Sequence, residues 1–173
     1  MTEVSTINIQ PAEADEVEAI KKVLSETWKD TYSPFLPADV IQKVTALWHS
    51  PETLAAEIEN DRVFFHVAKD DQGAIVGLLT AGRPSDEIVS IGRLYVLPGS
   101  QRQGIGGKLL DACVAAFPGA RKLVLEVEAQ NEKGLAFYLK QGFREASRKE
   151  EELEGIALTV VEMEKQLHEN PRK

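Results

Sequence analysis

The sequence predicts an α/β domain in which helices flank a mixed, largely antiparallel sheet. Three observations support this class. Amphipathic helices come first, a hairpin of short strands follows, and a strand–helix–strand–helix passage leads into a last hairpin. The chain has 173 residues, 43% of them hydrophobic and 28% charged, which suits one globular core. We therefore expect a single domain over residues 1–173, with its core at about residues 6–165 and short tails at both ends.

The first third of the chain is predicted to be mainly helical. Apolar residues recur at steps of three and four from Val17 to Trp28, which predicts an amphipathic helix over Ala14–Lys29. Ser50 followed by Pro51 is typical of a helix start and predicts a helix that runs to about Glu59. The other elements expected here are a strand at Thr6–Gln10, a break at Thr31–Pro37 and a helix at Ala38–Trp48.

The rest of the chain alternates strands with helices. The turn-forming segment Asp70–Gly73 separates two apolar runs, which predicts a hairpin. Gly142 suits the left-handed position that ends a helix. The expected elements are a hairpin of Val63–Lys69 with Ala74–Ala81, strands at Glu87–Leu97 and Lys122–Glu128, helices at Gly104–Phe117 and Glu132–Gln141, and a last hairpin of Arg144–Glu150 with Ile156–Lys165 across Glu151–Gly155.

A glycine-bearing loop connects one of these strands directly to a helix. The segment Arg93–Leu110 reads RLYVLPGSQRQGIGGKLL. Free backbone amides of such a loop and the positive end of the helix dipole together favour a phosphate or pyrophosphate. Glycine helps because a Cβ would block close approach of the anion to the backbone. We expect a phosphorylated ligand at the start of the helix near Gly104.

Two common phosphate-binding patterns do not fit this loop. The Walker pattern requires Lys and then Ser or Thr after its last glycine, but Ile105 and Gly106 follow Gly104 here. The dinucleotide fingerprint fits Gly104 and Gly106 but has Leu109 at its third glycine position. Neither the Walker pattern nor the dinucleotide fingerprint therefore describes this loop.

The loop contains Q-x-x-G-x-G at Gln101–Gly106, and a second block, NEKGLAFYLKQGF, follows at Asn131–Phe143. In this order, with a strand between them, the two blocks resemble the GNAT superfamily of acetyl-CoA-dependent N-acetyltransferases. The resemblance implies the GNAT fold over about Thr6–Lys165, acetyl-CoA as cosubstrate, and direct attack by a primary amine. With lower specificity, the ETWKDTY stretch resembles bacterial polyamine and ribosomal-protein acetyltransferases.

The same resemblance assigns residues to the cosubstrate. It implies that the loop grips the pyrophosphate, that Asn131 lies beside the pantetheine arm, and that backbone amides of the preceding strand hold the thioester oxygen. Arg102 and Lys108 either contact phosphates or are simply solvated. The residues expected to bind acetyl-CoA are Leu94, Tyr95, Val96, Gln101, Arg102, Gln103, Gly104, Ile105, Gly106, Gly107, Lys108 and Asn131.

Tyr138 is the candidate general acid. A phenol with a pKa of about 10 keeps its proton at neutral pH and can deliver it to a departing thiolate. Asn131 lies about two helical turns earlier, so the spacing predicts that the two side chains face the same way. The alternative is that Tyr138 is a core aromatic with a satisfied hydroxyl. For Phe137 and Phe143 packing is the expected role.

The general base is harder to assign. Some GNAT members carry a glutamate where Ser90 stands, and serine is a poor base. Glu126 and Glu128 alternate with apolar residues, so both carboxylates are expected on one face of their strand. We place Glu126 with Tyr138 as the catalytic pair, although either glutamate could take the proton, directly or through water. A solvated face of charges is an equally valid interpretation.

Composition limits the partners. The net charge of −8 argues against a nucleic-acid partner and weakly favours a cationic substrate. No segment suggests a membrane span or signal peptide, and a single cysteine, Cys113, is expected in the core and suits a reducing cytoplasm. His49, His66 and His168 are scattered, so no metal site is expected. We expect a cytoplasmic enzyme that uses a small-molecule or peptide amine, and a homodimer stays open.

The acceptor amine is the part that the sequence leaves open. In the family the segment after the first helix covers the acceptor, and here it is Trp28–Phe35. Its aromatic rings with Asp30 could bind an amine, or the rings could hold two helices together, which is the role we favour for Trp28. Polyamine, aminoglycoside, amino-acid-like amine and protein N-terminus all fit. Two other functional classes are alternatives to an acetyltransferase: a non-catalytic acyl-CoA-binding domain and a nucleotide-binding protein.

Overall fold

The computed structural model describes residues 6–167, which form two compact units. The first unit comprises the described residues up to Ala81 together with Arg93–Ala116. The second comprises Gly82–Gly92 together with the described chain from Phe117 onward. Among residues 6–167 there is no helix both long and apolar enough to cross a membrane.

The first unit contains four helices within its described residues: α1 (Val17–Tyr32), α2 (Ala38–Trp48), α3 (Pro51–Glu59) and α4 (Ile105–Ala116). The bounds of α2 are those that the sequence predicts. The Ser50 hydroxyl accepts a hydrogen bond from the Thr53 amide at 3.2 Å, which confirms the predicted cap of α3. A short 3-10 turn at Ala14–Glu16 precedes α1, which runs past its predicted end.

The strands of the first unit are β1 (Asn8–Pro11), β2 (Phe64–Lys69), β3 (Ile75–Gly82) and the end of β4 (Ile88–Val96), in the order β1-β2-β3-β4. β2 pairs antiparallel with both β1 and β3, which confirms the predicted hairpin. The apolar faces of α1 and α3 pack on β2 and β3. Fully buried members of this core include Ile20, Leu24, Leu54, Val67 and Leu78, each worth about 1.5–3 kcal/mol of burial.

The second unit has the strand order β4-β5-β7-β6, so β4 belongs to both units. Its other elements are β5 (Lys122–Glu128), α5 (Glu132–Lys140), β6 (Arg144–Leu153) and β7 (Ile156–Gln166). β4 and β5 are parallel, while β5–β7 and β6–β7 are antiparallel. The strands are therefore mostly antiparallel, and the predicted α/β class with flanking helices is confirmed.

The last hairpin differs from its prediction. The expected connection at Glu151–Gly155 is a turn of two residues, Glu154 and Gly155, and β6 continues to Leu153. Both turn residues have positive φ, 49° and 81°, as a tight hairpin turn requires. The acidic run does not end the strand because its side chains are exposed on one edge and find partners there, such as the hydroxyl of Thr159, 2.7 Å from Glu150.

Candidate functional site

The loop before α4 has the backbone of an anion-binding turn. Arg102 and Gly104 both adopt left-handed conformations, with φ of 68° and 77°. The Lys108 amide donates to the Gly104 carbonyl at 3.1 Å, so Gly104 caps α4, whose first residue is Ile105. Amides in the first turn of a helix have no earlier carbonyl within the helix to pair with, and the helix dipole adds positive potential there. The loop can therefore bind an anion with backbone groups alone.

Side chains of this loop fall into two groups. Ile105 is buried and anchors α4, whereas Arg102, Gln103 and Lys108 are exposed. The Gln101 side-chain amide donates to the Val96 carbonyl at 3.0 Å. Gln101 thus fixes the loop to the end of β4 in addition to any contact with a ligand, a role that sequence reasoning missed.

Two glycines shape this region for different reasons. A Cβ at Gly104 would meet no protein atom within 4 Å, so the requirement for glycine comes from its positive φ, and the space beside it is open. A Cβ at Gly77 would lie 3.0 Å from the Tyr95 carbonyl oxygen and 3.5 Å from Ile105. Gly77 therefore allows β3, β4 and α4 to approach closely, a role that no local pattern predicts.

The end of β4 is fixed by its side chains. The Trp28 indole donates to the Tyr95 hydroxyl at 3.1 Å. Burial raises the pKa of Tyr95, so its hydroxyl stays protonated at neutral pH. The Leu97 amide donates to the Val76 carbonyl at 2.8 Å. The strand segment that the resemblance assigns to the thioester oxygen thus has a fixed backbone.

A cluster of aromatic rings connects α1 with the end of α2. Trp28 is buried and lies 4.3 Å from Tyr32 and 5.8 Å from Trp48 between ring centroids, and Tyr32 lies 5.4 Å from Phe35. This confirms packing as the role of Trp28. Trp48 is half-exposed at the end of α2.

His49 is buried directly after Trp48. Burial, and secondarily the charge of Arg93, lowers its pKa to about 4. The imidazole is therefore neutral at physiological pH. His49 lies edge-on to Trp28, with ring centroids 5.8 Å apart.

Protonation of His49 should destabilise the protein in acid. An unfolded histidine takes up a proton below about pH 6.5, while the folded one resists until about pH 4. The contribution of neutral His49 to the free energy of unfolding is thus complete above about pH 6.5 and is lost as the pH falls toward 4. We expect the free energy of unfolding to fall by up to about 3 kcal/mol across this window. Urea unfolding of the native chain and of His49→Phe measures it, and equal pH slopes in both proteins would contradict this assignment.

In the second unit Asn131 is the cap of α5. Its side-chain oxygen accepts from the Gly134 amide at 3.0 Å, so Asn131 precedes the helix. The predicted spacing of two helical turns between Asn131 and Tyr138 assumed that both residues lie within one helix, and Asn131 does not. A Cβ at Gly134 would come within 2.5 Å of the Asn131 amide nitrogen, which explains that glycine. Tyr138 is buried near the other end of α5, with its ring 5.1 Å from Phe137 and 5.4 Å from Phe143.

The two glutamates of β5 have different environments. Glu126 is half-exposed and accepts from the Lys149 ammonium at 2.6 Å. Glu128 is only 7% exposed, and its carboxylate accepts from the Gln130 amide at 2.6 Å. Burial raises the pKa of Glu128. The interpretation as a solvated face therefore suits Glu126 but not Glu128.

The structure also places the residues that we expected to have no catalytic role. Cys113 is fully buried in α4, as predicted, and burial raises the pKa of its thiol to about 12. His66 is half-buried in β2 and stacks on Phe64. Within residues 6–167 no cluster of three or more His, Cys, Asp or Glu side chains could hold a metal ion, and His168 lies outside the described residues.

Known proteins match this chain over most of its length. The family model described as acetyltransferase (GNAT) domain matches residues 32–167. The N-acetyltransferase YhfO of Bacillus subtilis is 26% identical over 147 residues, which cover 80% of this chain and 91% of that protein. The N-acetyltransferase Rv2669 of Mycobacterium tuberculosis is 28% identical over 134 residues, which cover 76% of this chain and 83% of that protein.

A solved structure extends this comparison to three dimensions. The PaiA N-acetyltransferase of Thermoplasma acidophilum, in complex with coenzyme A, superposes with a TM-score of 0.80 at 26% identity. The alignment covers 94% of this chain and 99% of that protein. The matched family segment includes the loop before α4 and all of α5, the two blocks that first suggested the family. The chain belongs to the GNAT acetyltransferase family.

Proposed function

We propose that this chain transfers the acetyl group of acetyl-CoA to a primary amine by direct attack. The observation that carries the proposal is the loop before α4, whose two left-handed residues open onto the first turn of a helix in a GNAT-family chain. The Thermoplasma acidophilum relative was solved with coenzyme A, which supports the same ligand here. Backbone amides of Ile105, Gly106 and Gly107 would bind the pyrophosphate.

In the proposed reaction the neutral amine attacks the thioester carbon. The carbonyl oxygen gains negative charge, and backbone amides at Leu94–Val96 stabilise it. The carbon–sulfur bond then breaks. Tyr138 donates its proton to the departing thiolate and regains one from solvent. No acetyl group becomes attached to the protein at any step.

The amine must also lose a proton. We assign this to Glu126, directly or through water, because it is the exposed glutamate of β5. Its partner Lys149 would have to move aside for an arriving ammonium group. Burial raises the pKa of Glu128, but its carboxylate is enclosed and bonded to the Gln130 amide. Glu128 is therefore the second choice.

For the acceptor we propose a small cationic amine. The net charge of −8 attracts cations, and Asp30 and Glu126 are exposed carboxylates in the segments assigned to the acceptor side. A primary amine has a pKa of about 10, so its neutral fraction rises about tenfold per pH unit below that value. We expect kcat/KM to climb from about pH 6.5 to 9 and to fall with added salt, since screening acts over about 10 Å at 0.1 M.

The experiment is a pH and ionic-strength series on spermidine, an aminoglycoside and an amine with a neutral tail. Thiol release from acetyl-CoA gives the rate. A salt effect confined to the two polycations supports the cationic class. A flat pH profile without a salt effect, or a clear preference for a peptide α-amine, contradicts it.

A further inference from the structure

Arg93 contacts three other elements of the first unit. Its guanidinium donates to the Glu57 carboxylate of α3 in an ion pair, and to the Thr80 hydroxyl of β3 at 3.5 Å. It also donates to the Trp48 carbonyl at 3.0 Å. Trp48 ends α2, so this carbonyl is one of those that a helix leaves without an internal partner. One side chain of β4 therefore fixes the α2–α3 corner to the strand.

Tyr95, two residues further along β4, lies on the same face of the strand as Arg93. Its hydroxyl accepts from the Trp28 indole, which ties it to α1. Val96 follows Tyr95, and its carbonyl accepts a hydrogen bond from the Gln101 side chain. These anchored residues include or flank Leu94–Val96, the segment assigned to the thioester oxygen. Donors to an oxyanion act only if they are held within about 0.5 Å of the productive position.

We propose that Arg93 is a positioning residue for acetyl transfer, which holds the amides of Leu94–Val96 in place through its contacts with Glu57 and Trp48. This inference rests on the proposed function. Arginine suits the role because its planar group can donate to a carboxylate and a carbonyl at once in fixed directions. Lysine has no such fork and would hold only one of these partners in place.

The same unit offers a matched control. Lys69 of β2 pairs with Glu16 at 2.6 Å, and the exposed fractions of these side chains are 19% and 12%. For Arg93 and Glu57 the fractions are 12% and 31%. Both pairs are therefore partly desolvated ion pairs in one unit, but Lys69 lies in β2 and not in the strand assigned to the thioester oxygen. If removal of an ion pair acts only through stability, substitution of Arg93 and of Lys69 should change kcat alike. If Arg93 positions the strand, only its substitution should lower kcat.

The experiment compares Arg93→Met with Lys69→Met. We expect both variants to lower Tm by a few degrees and to bind acetyl-CoA within about threefold of the native Kd. Arg93→Met should lower kcat at least about tenfold without a matching change in KM, while Lys69→Met should keep kcat within about twofold. Arg93→Lys, which keeps the charge beside Glu57, should recover part of kcat and serves if the methionine variant does not fold.

Amide hydrogen exchange supplies a readout that does not depend on catalysis. Exchange at Leu94–Val96 should accelerate in Arg93→Met and stay native in Lys69→Met. Unchanged exchange at these amides overturns the inference, as does an equal kcat in the two methionine variants. Failure of the native chain to acetylate any amine would instead count against the proposed function, and the exchange result would still decide whether Arg93 holds the strand.

Discussion

Replacing Tyr138 by phenylalanine should lower kcat by about 10²–10⁴-fold with little change in acetyl-CoA affinity. The change removes the hydroxyl that we assign to the departing thiolate. It leaves the ring, which packs against Phe137 and Phe143 in the buried end of α5. The fold should therefore survive, and the loss should fall on the chemical step. Steady-state kinetics with a saturating amine, together with calorimetric titration of acetyl-CoA, separates the two quantities.

Thr45→Val is the control for removal of a hydroxyl. The Thr45 hydroxyl of α2 donates to the Ile41 carbonyl at 2.8 Å, and the mechanism gives Thr45 no role. We expect Thr45→Val to retain kcat within about threefold. If Tyr138→Phe also stays within about twofold of the native kcat, Tyr138 is a packing residue and another group carries the proton.

Gly104→Glu should weaken acetyl-CoA binding at least about 100-fold. It places a carboxylate where the pyrophosphate is expected, at a position whose Cβ direction is open. The left-handed backbone adds a cost of about 1–2 kcal/mol for any side chain. Calorimetry on the folded variant measures the affinity, and circular dichroism checks that the fold is kept.

Two further variants separate charge from backbone strain. Gly73 has a φ of 80° and nothing within 4 Å of its Cβ position, much like Gly104, but it lies in the β2–β3 turn. Gly73→Glu therefore adds the same strain and charge away from the loop, and native affinity is expected. Gly104→Ala adds the strain alone and should weaken binding less than Gly104→Glu. A folded Gly104→Glu protein with native affinity would remove the loop from the ligand site.

Elements whose signals are local were predictable from the sequence. Ala38–Trp48 and Lys122–Glu128 have the predicted bounds. A break in the helical pattern precedes the first, and apolar residues alternate in the second, so each signal lies within a few residues of the element that it predicts. The end of α1 was predicted three residues early. Lys29 and its polar neighbours end the apolar pattern, but the helix continues to Tyr32 and ends shortly before Pro34, whose ring does not suit a helix interior.

The site was predictable only where it consists of backbone. The loop before α4 follows from a short motif, and the structure gives Gly104 the positive φ that the motif needs. Side-chain partners are different because they come from distant positions. Lys149 reaches Glu126 from another strand, and Arg93 reaches Glu57 across 36 residues, so neither pairing has a signal in the neighbouring sequence. Burial likewise separates Glu128 from Glu126, although their strand pattern is the same.

The central claim is that an acetyl group passes from acetyl-CoA to an amine without residence on the protein. The direct measurement uses acetyl-CoA labelled in its acetyl group with the panel of amines, and follows released thiol, labelled amine and labelled protein together. The single thiol of the chain, Cys113, is buried with a pKa of about 12, so a thiol reagent should report coenzyme A alone in the folded protein. The account predicts one labelled amine for each thiol released and no label on the protein. Binding of acetyl-CoA without turnover on any amine, or label that stays on the protein, would contradict it.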